Sequence, residues 1–495
     1  MRTVLLVLVL LPPAGLPAQN VLHVPSQYRT IQDAVKAAKW DDTILVAPGQ
    51  YVENVVIDKN LTLKSTGGAA MTTIDGGRKG TVVSGSFSCT IEGFTITGGL
   101  STTDGGGISG YEVKVRNNII TGNQGLCGGG IWPFGSGCYI ENNVITHNVA
   151  TGTGIHQGGG GIGWPSSTCC HVYVSDNLIA HNTSRGVGGG VRFGYGSLDR
   201  NIISNNTAGT DGGGIYSDSY EMYGFDGNLV YDNRAGRDGG GVFLYGMPGM
   251  ATNNFTVVGN TAEADGGGLW CKDTRDIHIA DWILWNNKAL RGAGPELWLG
   301  QYTSMTISHS LVKNGKSSVY IEPNTCLLWG GGMLTVDPRF VDESGGDLHL
   351  TARSPCVDAG SRRTPTGGKD IDGDARVSLA AVDIGADEFH PTVYVTGTPI
   401  PGGAFTIKVI GPPGAPVLLG VSLDQSLRTN PVILPGMGSL WLDAPFIVFD
   451  PGPPSPDGVV ALPLTLPATF PKPYGVPLQA LVAFQLTRPY VMKVR

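Results

Sequence analysis

From about residue 43 to residue 335 the apolar positions come in short alternating runs, two or three per unit, separated by Gly and Asn. Period-2 alternation between such breakers predicts short strands, and helical periodicity is missing from this stretch. The phrase Gly-Gly-Gly followed by an aliphatic residue recurs, with the aliphatic at Ile108, Ile131, Ile162, Val191, Ile215, Val242 and Leu269. A second phrase, Asn-aliphatic pair-Asn, keeps the same beat at Asn118 to Asn123, Asn143 to Asn148, Asn177 to Asn182, Asn201 to Asn206 and Asn228 to Asn233. Asn254 to Asn260 reads as a stretched copy, and Asn287 ends one whose first Asn has become Trp282. A unit of roughly 25 residues with one apolar side per strand cannot bury that side alone, but a stack of such units can. Ile215, Val242 and Leu269 are therefore expected in one inward row. The recurring Asn suits a turn, because it tolerates the left-handed conformation and its amide can bond the amide above.

These coils resemble the pectin-lyase-like right-handed parallel β-helix. Residues 28–38 (Tyr-Arg-Thr-Ile-Gln-Asp-Ala-Val-Lys-Ala-Ala) and 42–54 (Asp-Thr-Ile-Leu-Val-Ala-Pro-Gly-Gln-Tyr-Val-Glu-Asn) resemble the usual opening of such proteins, where a short helix caps the first coil. Thr30 with Asp33 is a weak helix-capping signal, and Trp40 is expected to cover the cap. At the far end, 336–342 (Val-Asp-Pro-Arg-Phe-Val-Asp), 354–360 (Ser-Pro-Cys-Val-Asp-Ala-Gly), 370–376 (Asp-Ile-Asp-Gly-Asp-Ala-Arg) and 382–388 (Val-Asp-Ile-Gly-Ala-Asp-Glu) are similar to the choice-of-anchor Q module. The resemblance implies a fold and no single activity, since the family holds lyases, hydrolases, epimerases and non-catalytic proteins.

After residue 390 the Asn-Gly turns give way to Pro and alternating runs, which suggests a small β-sandwich. The expected class is all-β: a right-handed parallel β-helix followed by a small C-terminal β-sandwich. Its parts are a signal peptide over 1–18, an N-terminal cap over 19–42, the β-helix over 43–335, a closing module over 336–390 and the sandwich over 391–495. The signal rests on Arg2, the apolar run from Val4 to Leu11 and a cut after Ala18; the run is too short to span a bilayer. Export makes disulfides possible for the eight cysteines, whose spacing fits no zinc pattern. The 76 Gly fit a chain of turns, and a net charge of -7 argues against nucleic acid.

Polygalacturonase, pectate-lyase and alginate-epimerase signatures are all missing as sets, which weighs against catalysis. Two rows carry candidate chemistry. Asp104, Asp211, Asp238 and Asp265 each precede a triple glycine, with Arg291 expected in the matching place of the next coil. Stacked carboxylates repel, so Arg237, Arg291, a pKa shift or a shared cation such as Ca²⁺ should offset them; Asp is also simply a good turn residue. After each aliphatic come Trp132, Gly163, Arg192, Tyr216, Phe243, Trp270 and Trp298, which alternation points outward. An exposed aromatic row beside carboxylates is what a sugar-binding face needs, and a purely stabilising ladder is the alternative. The candidate substrate-binding set is Tyr216, Phe243, Trp270, Trp298, Asp211, Asp238 and Asp265, and the three aspartates are also the candidate metal ligands. Loop residues Tyr195, Asp218, Tyr220, Tyr223, Tyr245, Lys272, Asp273, Arg275 and Tyr302 add to that face. His147 and His181 read as turn residues. Asp370, Asp372 and Asp374 are spaced like a Ca²⁺ loop without its closing Glu, so Arg376 is expected to pair with a carboxylate there. The expected protein is secreted or surface-attached and monomeric, with no transmembrane segment. It binds a polysaccharide or cell-surface glycan; a lyase or hydrolase on the same face and a structural adhesive are the alternatives.

Overall fold

The computed structural model describes residues 20–390 apart from 155–156, 165–170, 220–221, 362–367 and 377–380, and beyond 390 only the backbone of the strands. The expected signal segment, Cys169, Cys170 and Tyr220 lie outside the described residues. The chain winds into a right-handed parallel β-solenoid. The first sheet has 11 strands, from Val55–Ile57 to Val319–Ile321, and a second begins at Val21–Val24 with 9 strands. A four-stranded sheet beginning at Pro248–Asn253 takes over in the later coils. The third sheet, 11 strands again, runs from Gly49–Val52 to Leu311–Val312, and seven two-residue strands from Gln124–Gly125 to Lys288–Ala289 form a short fourth side. Among the described residues the helices are Ile31–Ala37 and the 3-10 turn Gly315–Ser318.

The inward row stands as the repeat predicts. Ile215, Val242 and Leu269 are register partners in the first sheet, flanked by Val191 and Leu297, and all five are fully buried. The triple glycines mark where neighbouring coils approach backbone to backbone. Gly239 turns the chain at φ 66°, and a Cβ on Gly240 would lie 2.5 Å from the Gly267 carbonyl oxygen, so neither position accepts a side chain.

Two buried asparagine ladders fix the corners. In one, the Asn118 backbone N–H donates to Asn143 Oδ1, and the pattern repeats through Asn177, Asn201 and Asn228 at 2.9–3.1 Å. The other runs through Asn123, Asn148, Asn182, Asn206, Asn233, Asn260 and Asn287. Each amide nitrogen also donates to a carbonyl one coil back, as Asn206 Nδ2 does to Ile179 at 2.8 Å. The first ladder does not continue to Asn254. Phe255 takes the place of Asn228 in the next coil, followed by Trp282, and these two rings stack inside the core at 4.4 Å. Asn254 sits one residue earlier, with φ 57° and its Nδ2 bonded to the Asp383 carbonyl. The second ladder ends on an acid: Glu296 Oε2 accepts from Asn287 Nδ2 at 2.6 Å, and burial pushes the Glu296 carboxyl up to about 7.

At the start, Thr30 caps Ile31–Ala37 by accepting from the Asp33 N–H, and both oxygens of Glu53 accept the N–H groups of Ile31 and Gln32. Ile31, Ala34 and Val35 face the first coil. Trp40 does not cover the cap; it is 57% exposed, with its ring edge-to-face on Phe87 at 5.1 Å. At the other end, the described residues of 340–390 lie along the outside of the third sheet. Leu350, Cys356, Ile384 and Phe389 pack on Ile283 and Leu311, and the Ala386 N–H donates to Thr256 Oγ1. Beyond 390 the pairing becomes antiparallel: Thr392–Gly397 with Ala404–Ile410, and Val417–Ser422 with Phe446–Phe449 and Tyr474–Val482. Among the described residues no helix is long and apolar enough to cross a membrane, and Cys89, Cys127, Cys271, Cys326 and Cys356 are free thiols.

Asn206→Ala leaves buried partners above and below without their bonds, and should cost about 2–4 kcal/mol in denaturant unfolding. Glu296 makes a pH-dependent contribution of known sign. Its folded pKa lies above the ordinary glutamate value of 4.5, so the folded state holds the extra proton between about 4.5 and about 7. Stability should fall as pH rises through that window, by about 2–3 kcal/mol. Glu296→Gln should flatten that slope in melts taken from pH 4.5 to 8.

Candidate functional site

The triple-glycine strands place the residue after each aliphatic on the outer side of the first sheet. Tyr216, Phe243, Trp270 and Trp298 are register partners there, so the expected outward row exists. The rings lie face to face, with centroids 4.9, 4.1 and 4.8 Å apart and planes within 10°. Coil spacing matches ring stacking, so each ring covers its neighbour's face. The row is consequently buried where an exposed one was expected: Trp270 is 8% exposed and Phe243 is 6% exposed. Val187 and Ala293 pack against it, and the Lys272 stem and Trp298 fill the space a side chain at Gly300 would need. The stack continues to Tyr320, 6.0 Å from Trp298 and 42% exposed. At the other end Arg192 takes the column position before Tyr216. It is fully buried, donating to the Trp164 carbonyl at 2.5 Å and reaching Asp218 at 3.4 Å.

The aspartates form a ladder of their own beside this stack. Asp211 Oδ1 accepts the Asp238 N–H, Asp238 Oδ1 accepts the Asp265 N–H, and Asp265 Oδ1 accepts the Ala293 N–H at 2.7 Å. The matching residue of the next coil is thus Ala293; Arg291 falls two residues early and reaches Glu263 at 3.6 Å. Arg237 grips Asp211 with two guanidinium nitrogens and lies 3.5 Å from Asp238. Burial raises the Asp238 carboxyl, against the pull of the Asp265 N–H. Backbone donors and Arg237 therefore offset the repulsion. Among the described residues, the groups whose ligand atoms converge on one point are His349 with Asp372 and Asp387, and Asp370 with Asp374 and His390; the Asp211 row is not one of them.

The exposed aromatics lie near the corner that follows the first sheet: Tyr223 in the second-sheet strand Met222–Gly224, Tyr245 at the end of the first-sheet strand Val242–Tyr245, and Tyr302 in the turn before Ser304–Ser308. Tyr223 is 59%, Tyr245 45% and Tyr302 57% exposed. Lys272 lies next to Tyr245 in register and 3.8 Å from Glu322. The sequence reading missed His171 and the burial of Arg192. The His171 ring is 4.4 Å from Tyr195 and 5.5 Å from Tyr223, whose hydroxyls bond each other. The register of Val172 with Gly196 puts His171 beside Tyr195, and that step could have been counted from the repeat. His147 and His181 are left-handed turn residues with rings stacked at 5.2 Å. In the closing segment Arg376 lies 3.6 Å from Glu388 and donates to the Gly385 carbonyl, as a carboxylate pairing there requires.

Residues 52–230 match the family model of the right-handed beta helix region, and residues 166–315 match that of the periplasmic copper-binding protein NosD. This supports a β-helix repeat protein. A cell surface glycoprotein of Methanothermus fervidus is 29% identical over 141 residues, a stretch that covers 28% of this chain and 19% of that protein. Among solved structures, a PL6 family alginate lyase is 12% identical with a TM-score of 0.32, covering 78% of this chain and 60% of its own. The enzymatically active domain of bacteriophage CBA120 tailspike protein 4 is 10% identical with a TM-score of 0.21, covering 92% of this chain and 64% of that one. Neither likeness is close enough to bear on this chain's activity. Among the described residues, both convergent His/Asp groups lie outside 166–315, the stretch matched by the NosD model.

Because both faces of Trp270 are covered, Trp270→Ala should open a gap in the stack and cost about 2–4 kcal/mol in chemical denaturation. Trp270→Phe, which keeps a ring in the column, should cost under about half of that. Equal losses for the two variants would show that the stack contributes little.

Proposed function

We propose that this is a non-catalytic cell-surface β-helix protein that binds a polysaccharide along the solenoid corner bordering the buried aromatic stack. The observation that carries the reading is the set of exposed tyrosines Tyr223, Tyr245 and Tyr302, held on successive parts of one solenoid edge beside Lys272 and Glu322. Coils repeat about every 4.8 Å, a step comparable with the length of one sugar residue in an extended chain. Rings on such an edge can stack on pyranose faces, and the Lys272, Glu322 and Asp218 side chains can serve the hydroxyls between them. The buried row of Tyr216, Phe243, Trp270 and Trp298 then acts as a stiff backing, and Asp211, Asp238 and Asp265 hold the turns.

The surface location draws on the cell surface glycoprotein match, the expected signal segment and the likeness of 336–388 to choice-of-anchor Q modules. Pectin-lyase-like relatives include enzymes, and a lyase or hydrolase on this edge is the second reading. It is favoured by the His171, Tyr195 and Tyr223 cluster, where an imidazole and two phenols meet within 5.5 Å.

The test is a glycan-array screen with the full chain, followed by titration of each hit. Tyr245→Ala with Tyr302→Ala should weaken binding at least about tenfold, the loss of roughly 1.4 kcal/mol, with the melting temperature unchanged. No saturable glycan binding in the screen would leave a structural, adhesive role. Shortened or unsaturated products on incubation with a hit would replace binding with catalysis.

A further inference from the structure

The closing segment contains a second kind of site. The turn 370–374 folds back on itself, with Asp370 Oδ1 accepting the N–H groups of Asp372 and Asp374 and Gly373 at φ 87°. Asp370 Oδ2, which also accepts the Glu388 N–H at 3.4 Å, and Asp374 Oδ2 face the imidazole of His390. His390 Nε2 lies 3.7 Å from the first and 3.6 Å from the second, and all three atoms lie within 4.8 Å of one another. Asp370 is 1% exposed, and His390 and Asp374 are half-buried.

The spacing matters more than the acidity. The nitrogen-oxygen separations exceed a hydrogen bond, yet they lie close to the edge of a coordination tetrahedron. Ligand atoms about 2.0–2.2 Å from a zinc ion are separated by roughly 3.3–3.5 Å. The neighbouring group makes the contrast. His349 is bonded at Nδ1 to Asp347 at 2.5 Å and at Nε2 to Asp372 at 3.1 Å, so both its nitrogens are engaged in an ion-paired clamp. Asp370, Asp383 and Glu388 are each at most 2% exposed, and Glu388 lies 3.6 Å from Arg376. An imidazole nitrogen with two carboxylate oxygens suits a zinc-class transition ion, whereas Ca²⁺ takes an all-oxygen shell.

We infer that Asp370, Asp374 and His390 bind one zinc-class divalent cation, which clips the 370–374 turn to a residue just ahead of the strand Thr392–Gly397. The ion joins points 16 residues apart (374 to 390) on a segment laid against the third sheet, so its role is structural and it takes part in no reaction. This site is independent of the glycan edge.

The experiment strips the full chain with EDTA and titrates it with ZnCl₂ by calorimetry, with thermal melts alongside. One zinc per chain is expected, with a rise in melting temperature that grows with zinc concentration. His390→Gln and Asp374→Asn should each lower zinc affinity at least tenfold, and His349→Gln should leave it unchanged. The circular dichroism of each variant is checked first, and Asp374→Asn carries the test if His390→Gln misfolds. Absence of zinc binding by the stripped protein would overturn the assignment. So would undiminished binding by the Asp374 and His390 variants, loss of binding in His349→Gln, or saturation by CaCl₂ alone.

Discussion

From Phe94 to Asn287 the coils are positioned by the amide of the asparagine next to them. In the ladders from Asn118 to Asn228 and from Asn123 to Asn287, each side chain accepts from one neighbour's backbone and donates to another's carbonyl. A buried amide with a missing partner costs free energy, so a coil that shifts along the strand direction breaks several such bonds together. The glycine triplets depend on the same fixed spacing, because the close backbone contact at Gly240 tolerates no side chain. The inward aliphatic row and the outward rings then follow from alternation alone.

That dependence explains what the sequence made legible. A repeat of Gly-Gly-Gly-aliphatic gives the stacking direction, and period 2 gives the facing of Val242 and Phe243 without any tertiary information. Facing is different from exposure. Phe243 and Trp270 point away from the core and are still buried, because successive rings fall at stacking distance and cover each other. Pattern analysis treats residues one strand at a time and cannot register coverage between coils. The same blindness placed Arg291 where Ala293 belongs, since counting from one phrase to the next passes over the altered Gly-Pro-Glu copy at 294–296.

Burial also hid the polar parts of the site. Arg192 occupies an aromatic column yet is fully enclosed, and only the three-dimensional approach of Trp164 and Asp218 makes that affordable. His171 joins Tyr195 and Tyr223 through the second sheet's register, whereas the sequence separates it from Tyr195 by a whole coil. In the closing segment the alternating aspartates were visible, but their relation to His390 depends on a fold-back that nothing in the local pattern announces.

Glu296 has a consequence for the repeat itself. An asparagine stack is self-propagating: its last amide still has a donor to offer, and the next coil would have to bring another asparagine to meet it. A carboxylate accepts from that donor and, when ionised, offers none in return. Glu296 therefore closes the row at Asn287 with chemistry that a further asparagine cannot extend, much as charged residues guard the edges of open sheets. The same side chain that makes folding sensitive to pH thus lets the chain's own next coil, with Leu311–Val312 on Ile283–Trp285, stack without an asparagine of its own.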